Sequence, residues 1–307
     1  MLRGNGKMGI NILNSRISSY KNSSKSELES EYNHTKHPER YIDLFDKLKN
    51  EMKQLGVIVE EEKIDIDDFR AFITDRIGSE LHKHYSKFIK PSRFPKHANF
   101  VINKVLEHYL AYKYLKIGKE DTYIDMAANG SPWVNILKFN GYDYVYKLDQ
   151  EYAPGLNNIS IGACVTNTGL ESSFANVISA QCAYEHFIGD KDILFMHEAE
   201  RVLKEGGRLG ITPLYIDESY YVAISPLCNL DDIEVEPEAR LVWRDDEGKI
   251  PFNRRYNPEA FYNRIYSKLP KGLKGKVIYF SNVKEVMEQF PGERIYNFFM
   301  FIIEKII

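Results

Sequence analysis

Four groups of residues have the types and spacing to do chemistry. In YIDMAANGSPW an acid, Asp125, ends a β-rich run and is followed by the small Ala127 and Ala128. Asn129 and Gly130, which tolerate positive φ, come next, and then Ser131-Pro132, a pair suited to the N-cap and first position of a helix. Such a turn brings backbone close to a ligand and faces helix amides towards it. Asp149, in LDQEY, stands 24 residues after Asp125 with Gln150 beside it, where a carboxylate can accept both hydroxyls of a ribose. Glu185-His186 sets a carboxylate next to an imidazole, whose ordinary pKa of about 6.5 suits it to proton transfer near neutral pH. FNRRY supplies Arg254, Arg255 and Tyr256, able to fork onto a phosphate or carboxylate. His82, His84, His97 and His108 have no carboxylate pair at metal-binding spacing, so no metal is expected.

These groups need a scaffold, and the chain changes rhythm where one begins. Residues 1–36, rich in Ser, Asn, Lys and Glu, read as a mobile arm. Residues 37–118 read as a helical lead-in or cap. Tyr41, Leu44, Phe45, Leu48 and Met52 share one face, and Gly56 marks its stop. GVIVEEE follows as a short extended piece. A second helix carries Ile66, Phe69, Ile73 and Ile77, and a third starts after Pro95 with Ala98, Ile102, Val105, Leu106, Tyr109 and Leu110. From residue 119 onward, short β-rich runs alternate with helical stretches, the pattern of a parallel sheet wound with helices. The runs are TYIDMA, YDYVYKLD, Ile159 to Gly162, ANVISAQ and GRLGITPLY, with the helix KDILFMHEAERVLK before the last and Gly206-Gly207 as its left-handed cap. KVIYFSN, VKEVMEQF and RIYNFFMFIIEKI add a strand, a helix and a final strand, antiparallel by expectation.

Bulk composition narrows the classes. With 43% hydrophobic and 28% charged residues, the 307-residue chain can bury a substantial core. Its 41 Lys and Arg against 44 Asp and Glu give no positive field to hold a phosphate backbone, so nucleic acid is not an expected partner. No run reaches the roughly 18 apolar residues of a membrane span. Cys164, Cys182 and Cys228 are odd in number and lack Cys-x-x-Cys spacing, which fits a reducing cytoplasm.

The stretch ESSFANVISAQCAYEHFIGDKDILFMHEAERVLKEGGRLGITPLY resembles class I S-adenosylmethionine-dependent methyltransferases. Their pattern is a strand entered by Ser-Phe-Asp, a Glu-His pair, a helix with Glu-x-x-Arg-Val-Leu, then Gly-Gly and the fifth strand. The likeness covers residues 121–215, continues loosely through FNRRYNPEAFYNRI and does not reach residues 1–90. It implies a doubly wound, mostly parallel, seven-stranded Rossmann-like sheet, with an acceptor-site insertion at about 216–275. It also implies a cofactor, S-adenosylmethionine. Asp125 to Ser131 would surround its methionine and ribose, with Asp149 on the ribose hydroxyls, Gly162-Ala163-Cys164 beside adenine and Ala180-Gln181 near the sulfonium. Tyr215, just past the fifth strand, would join Arg254, Arg255 and Tyr256 around a small acceptor, with a sugar or glycan-precursor hydroxyl expected from the abundance of Tyr and Arg there. His186 would take the proton of that hydroxyl. Departures from the pattern stand at Ala127, Asn129 and Ser131, which replace the glycines, and at Ala175, which replaces the Asp of Ser-Phe-Asp; Ala163 or Cys164 occupies the place of an adenine-side acid. A non-catalytic cofactor-binding scaffold is the alternative those departures suggest. A dinucleotide oxidoreductase is the other, although the chain has neither a Gly-x-Gly-x-x-Gly turn nor a Tyr-x-x-x-Lys pair suited to hydride chemistry.

Overall fold

The computed structural model describes residues 42–89, 100–224, 233, 235–243 and 252–306. The expected arm, His97, Cys228 and the start of the third helix before Phe100 lie outside the described residues.

The chain enters with helix α1 (Ile42–Gln54), whose Phe45, Leu48 and Met52 are buried as the spacing predicts, and which stops at Gly56 with φ +95°. Strand β1 (Val59–Glu62) follows, then α2 (Ile66–Thr74) and α3 (Arg76–Phe88). The single helix expected over Ile66 to Ile77 is thus two. Asp75 breaks it: its amide closes α2 on the carbonyls of Ala71 and Phe72, while its carboxylate caps α3 by accepting from Gly78 N at 2.7 Å. Helix α4 (Val101–Leu115) is buried almost all round, as a helix covered by a sheet on one side and by other helices on the next must be.

The alternating region follows as β2 (Tyr123–Met126), α5 (Trp133–Phe139), β3 (Val145–Asn157), β4 (Ser160–Gly162), β5 (Ala175–Gln181), α6 (Lys191–Val202) and β6 (Leu203–Thr212). After it come β7 (Tyr221–Ile224), β8 (Arg240–Trp243), β9 (Asn253–Arg255), α7 (Pro258–Arg264), β10 (Leu273–Phe280), α8 (Val283–Gln289) and β11 (Phe299–Lys305). The main sheet has the order β1-β10-β11-β6-β5-β2-β3-β4, with β7, β8 and β9 in a separate small sheet. Among the described strands of the main sheet, β11 runs antiparallel to both its neighbours, β10 and β6, and the far end of β3 folds back along β4. The architecture is a doubly wound, mostly parallel, Rossmann-like sheet.

Two details differ from expectation. The main sheet has eight strands rather than seven, because β1 joins it parallel to β10, Val59 facing Val277. Only one of its four residues is buried and three are glutamates, so the alternation that announces a strand is absent and the charges blunt an edge instead. The cap of α6 is also not Gly206-Gly207: Leu203 leaves the helix in extended conformation and opens β6, and Gly206, at φ +71°, turns the chain inside the first half of that strand. One apolar cluster runs from Phe45 in α1 through the sheet to Ile303 in β11, so the lead-in helices and the sheet share a core.

Candidate cofactor and acceptor site

From β2 the chain steps outward through β3 to β4, then returns to β5 on the other side of β2. The crevice beyond the carboxyl ends of β2 and β5, where this reversal occurs, is where an open α/β sheet binds its ligand. The loop leaving β2 forms one lip. Ala127 has φ +53° and Gly130 φ +79°, whereas Asn129 keeps an ordinary negative φ. The strain therefore falls on Ala127, two residues from where the residue types suggest it. Ser131 caps less directly than expected: α5 starts at Trp133, whose amide donates to Ser131 Oγ at 3.3 Å.

Beyond this lip opens a cleft of about 360 Å³, within the roughly 300–1,000 Å³ range of small-molecule sites. Ala127, Asn129, Asp149 and Gln150 form one side, Ala163, Cys164 and Val165 the floor of the next, and Cys182, His186, Phe187, Ile188 and Lys191 the opposite wall. Asp149 is 8% exposed. Its Oδ2 accepts the amide of Asn129 and its Oδ1 that of Glu151, each at 3.0 Å, so both lips are tied to one carboxylate. Each oxygen keeps a second lone pair for a ligand hydroxyl. With apolar Val165, Phe187 and Ile188 available for a flat base, the donor and acceptor set fits a nucleoside cofactor.

Several expected contacts lie elsewhere. Asp125 is 2% exposed and sits beneath the loop, accepting from Ser179 Oγ at 2.8 Å and more distantly from Ser131 Oγ and Gln181 Nε2. Burial pushes its carboxyl up to about 7. It ties β2 to β5 and does not line the cleft. Ala180 is fully buried in β5. Gln181 donates to Tyr123 and Ser179, leaving Oε1 without a partner. Gly162 is needed for close approach, since a Cβ there would stand 2.0 Å from the carbonyl oxygen of Ala153 where β3 folds back over β4. Gly130 and Ser131 face a wider recess of about 600 Å³ on the far side of the loop, bordered by Glu80, His84 and Tyr152.

Glu185 and His186 occupy a 3-10 turn, Tyr184–His186, just past β5. His186 Nδ1 lies 2.6 Å from the carbonyl oxygen of Phe252. A carbonyl only accepts, so Nδ1 carries the proton and Nε2 of the neutral ring is left as a base. Glu185 Oε1 stands 3.6 Å from that Nε2, placed to stabilise the imidazolium that proton uptake creates.

The expected acceptor residues divide. Arg254 is fully buried, donating to the carbonyls of Phe187 and Gly189 at 2.8 and 2.7 Å and pairing with Asp192 at 2.9 Å and with Glu236. Tyr256, 2% exposed, donates to Asp192 at 2.5 Å, and Arg264 completes the cluster. Neither Arg254 nor Tyr256 is available to an acceptor; they fasten β9 to the turn behind the cleft. Arg255 instead lies 3.4 Å over the ring of Tyr215, which stacks on Tyr296. Phe252, Lys104, Glu107 and Tyr296 were not singled out from sequence. Lys104 and Glu107 had one visible signal: in α4, Asn103, Lys104, Glu107 and His108 interrupt an otherwise apolar segment. Among the described residues, no helix is long and apolar enough to cross a membrane.

No protein-family model matches the chain, and no curated protein matches it. Among solved structures it is similar to the 1,6-didemethyltoxoflavin-N1-methyltransferase of Burkholderia thailandensis, with bound 1,6-didemethyltoxoflavin and S-adenosylhomocysteine. The identity is 9%, over 81% of this chain and 93% of that one, with a TM-score of 0.41. It is also similar to an S-adenosylmethionine-dependent methyltransferase of Mesorhizobium loti, at 13% identity over 65% and 97% of the two chains, TM-score 0.40. A third is the PH0226 protein of Pyrococcus horikoshii OT3, at 16% identity over 64% and 86%, TM-score 0.40. The order that reverses between β2 and β5, with β11 running against its neighbours, makes the described main sheet doubly wound and Rossmann-like.

Proposed function

We propose that the chain transfers a methyl group from S-adenosylmethionine to a small acceptor. The observation that carries this reading is Asp149, held by two backbone amides at the edge of the switch-point cleft with lone pairs to spare. Asp149 would hold the ribose hydroxyls, with Gln150 beside it, and Ala163, Cys164 and Val165 would flank the base. When bound, S-adenosylmethionine supplies an electrophilic methyl group on a sulfonium, a reaction whose main requirement is placement of the nucleophile. His186, its Nδ1 proton committed to Phe252, presents Nε2 as the group that removes a proton from the acceptor. The sugar hydroxyl suggested by the Tyr and Arg content is not carried forward, because Arg254 and Tyr256 are internal.

Calorimetric titration with S-adenosylmethionine and S-adenosylhomocysteine tests the reading. Saturable binding of both supports it, and a flat titration for both sinks it. His186→Ala is expected to leave cofactor affinity within about twofold while lowering turnover by roughly 10²–10⁴-fold.

A further inference from the structure

The loop at the lip of the cofactor cleft has a second side, where a larger recess opens. Its volume is about 600 Å³, against about 360 Å³ for the cleft, and both fall in the range of small-molecule sites. Helix α3 contributes Glu80 to its walls, α5 contributes Asn135 and Phe139, and β3 contributes Lys147 and Tyr152. Asn129 borders both the recess and the cleft. Tyr152 ties the recess to the loop, its hydroxyl donating to the carbonyl oxygen of Ala128 at 3.1 Å. The cofactor reading uses none of these walls except Asn129.

The chemistry of the recess is weighted towards cations and ring faces. Lys147 is partly buried, and among the described residues no carboxylate pairs with it; its ammonium lies 5.2 Å from the centroid of the Tyr152 ring instead. Glu80, the carboxylate that borders the recess, stands 3.4 Å from Lys83 on its own helix. Arg76, which opens α3, has its guanidinium 4.9 Å from the centroid of the Phe139 ring. Phe139 is 71% exposed although it lines a concave surface. A ring face replaces only part of the hydration that a partly buried ammonium gives up. An anion for Lys147 and a flat body over the two rings would complete both.

We propose that the recess is a second small-molecule site, for an aromatic molecule that carries a carboxylate or a phosphate. The anionic group pairs with the Lys147 ammonium, and the ring covers Tyr152 and Phe139. The exposed side-chain amides of Asn129 and Asn135 border the same space and can donate to oxygens of the ligand. Charge and ring act together: a neutral ring leaves Lys147 unpaired, and a bare anion leaves the aromatic faces in water. The loop stands between the recess and the cleft, so the ligand and the cleft's occupant bind together and do not compete. The site does not depend on which molecule fills the cleft.

The test is a ligand-observed NMR titration of the full chain with phenyl phosphate, with phenol as the neutral ring and inorganic phosphate as the bare anion. Phenyl phosphate is expected to bind at least about tenfold more tightly than either control. Lys147→Met should weaken it at least about fivefold, and Lys147→Arg, which keeps the charge, should hold it within about threefold of the parent. If Lys147→Met does not fold, Phe139→Ala, a change at an exposed side chain, should weaken it at least about threefold. No saturable binding of phenyl phosphate, affinity equal to that of phenol, or affinity unchanged in Lys147→Met and Phe139→Ala overturns the site. A final titration adds S-adenosylhomocysteine: retention of phenyl phosphate supports a separate site, and its displacement overturns it by placing the probe in the cleft. Failure of S-adenosylhomocysteine itself to bind overturns the cofactor reading, while the titrations made without it still decide the recess.

Discussion

At the scale of single residues, Asp149 and Ala127 make opposite contributions. Asp149 joins Asn129 to Glu151 through its two oxygens, so its removal loosens the cleft lip and deletes the ribose acceptor together. Asp149→Ala is expected to weaken S-adenosylhomocysteine binding by roughly 1–3 kcal/mol, and an unchanged affinity in calorimetry would take Asp149 out of the site. Ala127 occupies a left-handed conformation that disfavours a Cβ. Ala127→Gly should therefore raise thermal stability by about 0.5–1 kcal/mol, while a lower melting temperature would mean the strain is offset by contacts of the methyl group. Much of this was legible beforehand, because an acid at the end of a strand and a Glu-His pair after one are local patterns. The location of the strain was not, since Asn129 and Gly130 advertise positive φ by residue type whereas Ala127 acquires it from the path between β2 and α5.

Among the elements, β9 and the turn behind it show what local pattern cannot reveal. FNRRY reads as a group that forks onto an anionic ligand, yet Arg254 is paired with Asp192, which stands on α6. Burial opposes its charge, but the carboxylates of Asp192 and Glu236 beside it hold the guanidinium ionised. Arg254→Met leaves Asp192 and Glu236 with one cation, Arg264, and removes the donor to the carbonyl of Phe187, which lines the cleft, while Gly189 keeps its bond from Arg264. A loss of about 3–5 kcal/mol is expected in denaturant unfolding, with weakened S-adenosylhomocysteine binding in whatever remains folded. A change below about 1 kcal/mol would show the cluster to be dispensable. Strands β2, β4 and β5 were readable to within a residue or two because buried parallel strands are short apolar runs between turns, whereas β3 continues past Asp149 to Asn157 and β6 begins at Leu203, within the expected helix. Strand β1 was not recognised as part of the sheet, since its glutamates carry no period-two alternation and its partner, β10, lies more than 200 residues away.

For the whole molecule, the shared core makes the lead-in and the sheet one folding unit. Calorimetric unfolding is expected to show a single transition, and two well-separated transitions would contradict the common core. Asp125 gives that transition a pH dependence. Its carboxyl keeps its proton to about 7 in the folded chain but releases it near 4 when unfolded, so between those values the folded state binds more protons and stability falls as pH rises. In Asp125→Asn the melting temperature should fall less steeply from pH 4 to 7 than in the parent chain, and equal slopes would show that Asp125 does not keep its proton on folding.

The cleft itself is most directly tested by calorimetric titration of the parent chain and Asp149→Ala with S-adenosylhomocysteine. Saturable one-site binding to the parent, weakened at least about fivefold in the variant, is the predicted result. No binding to either, or equal binding to both, would contradict the assignment of this cleft to the cofactor.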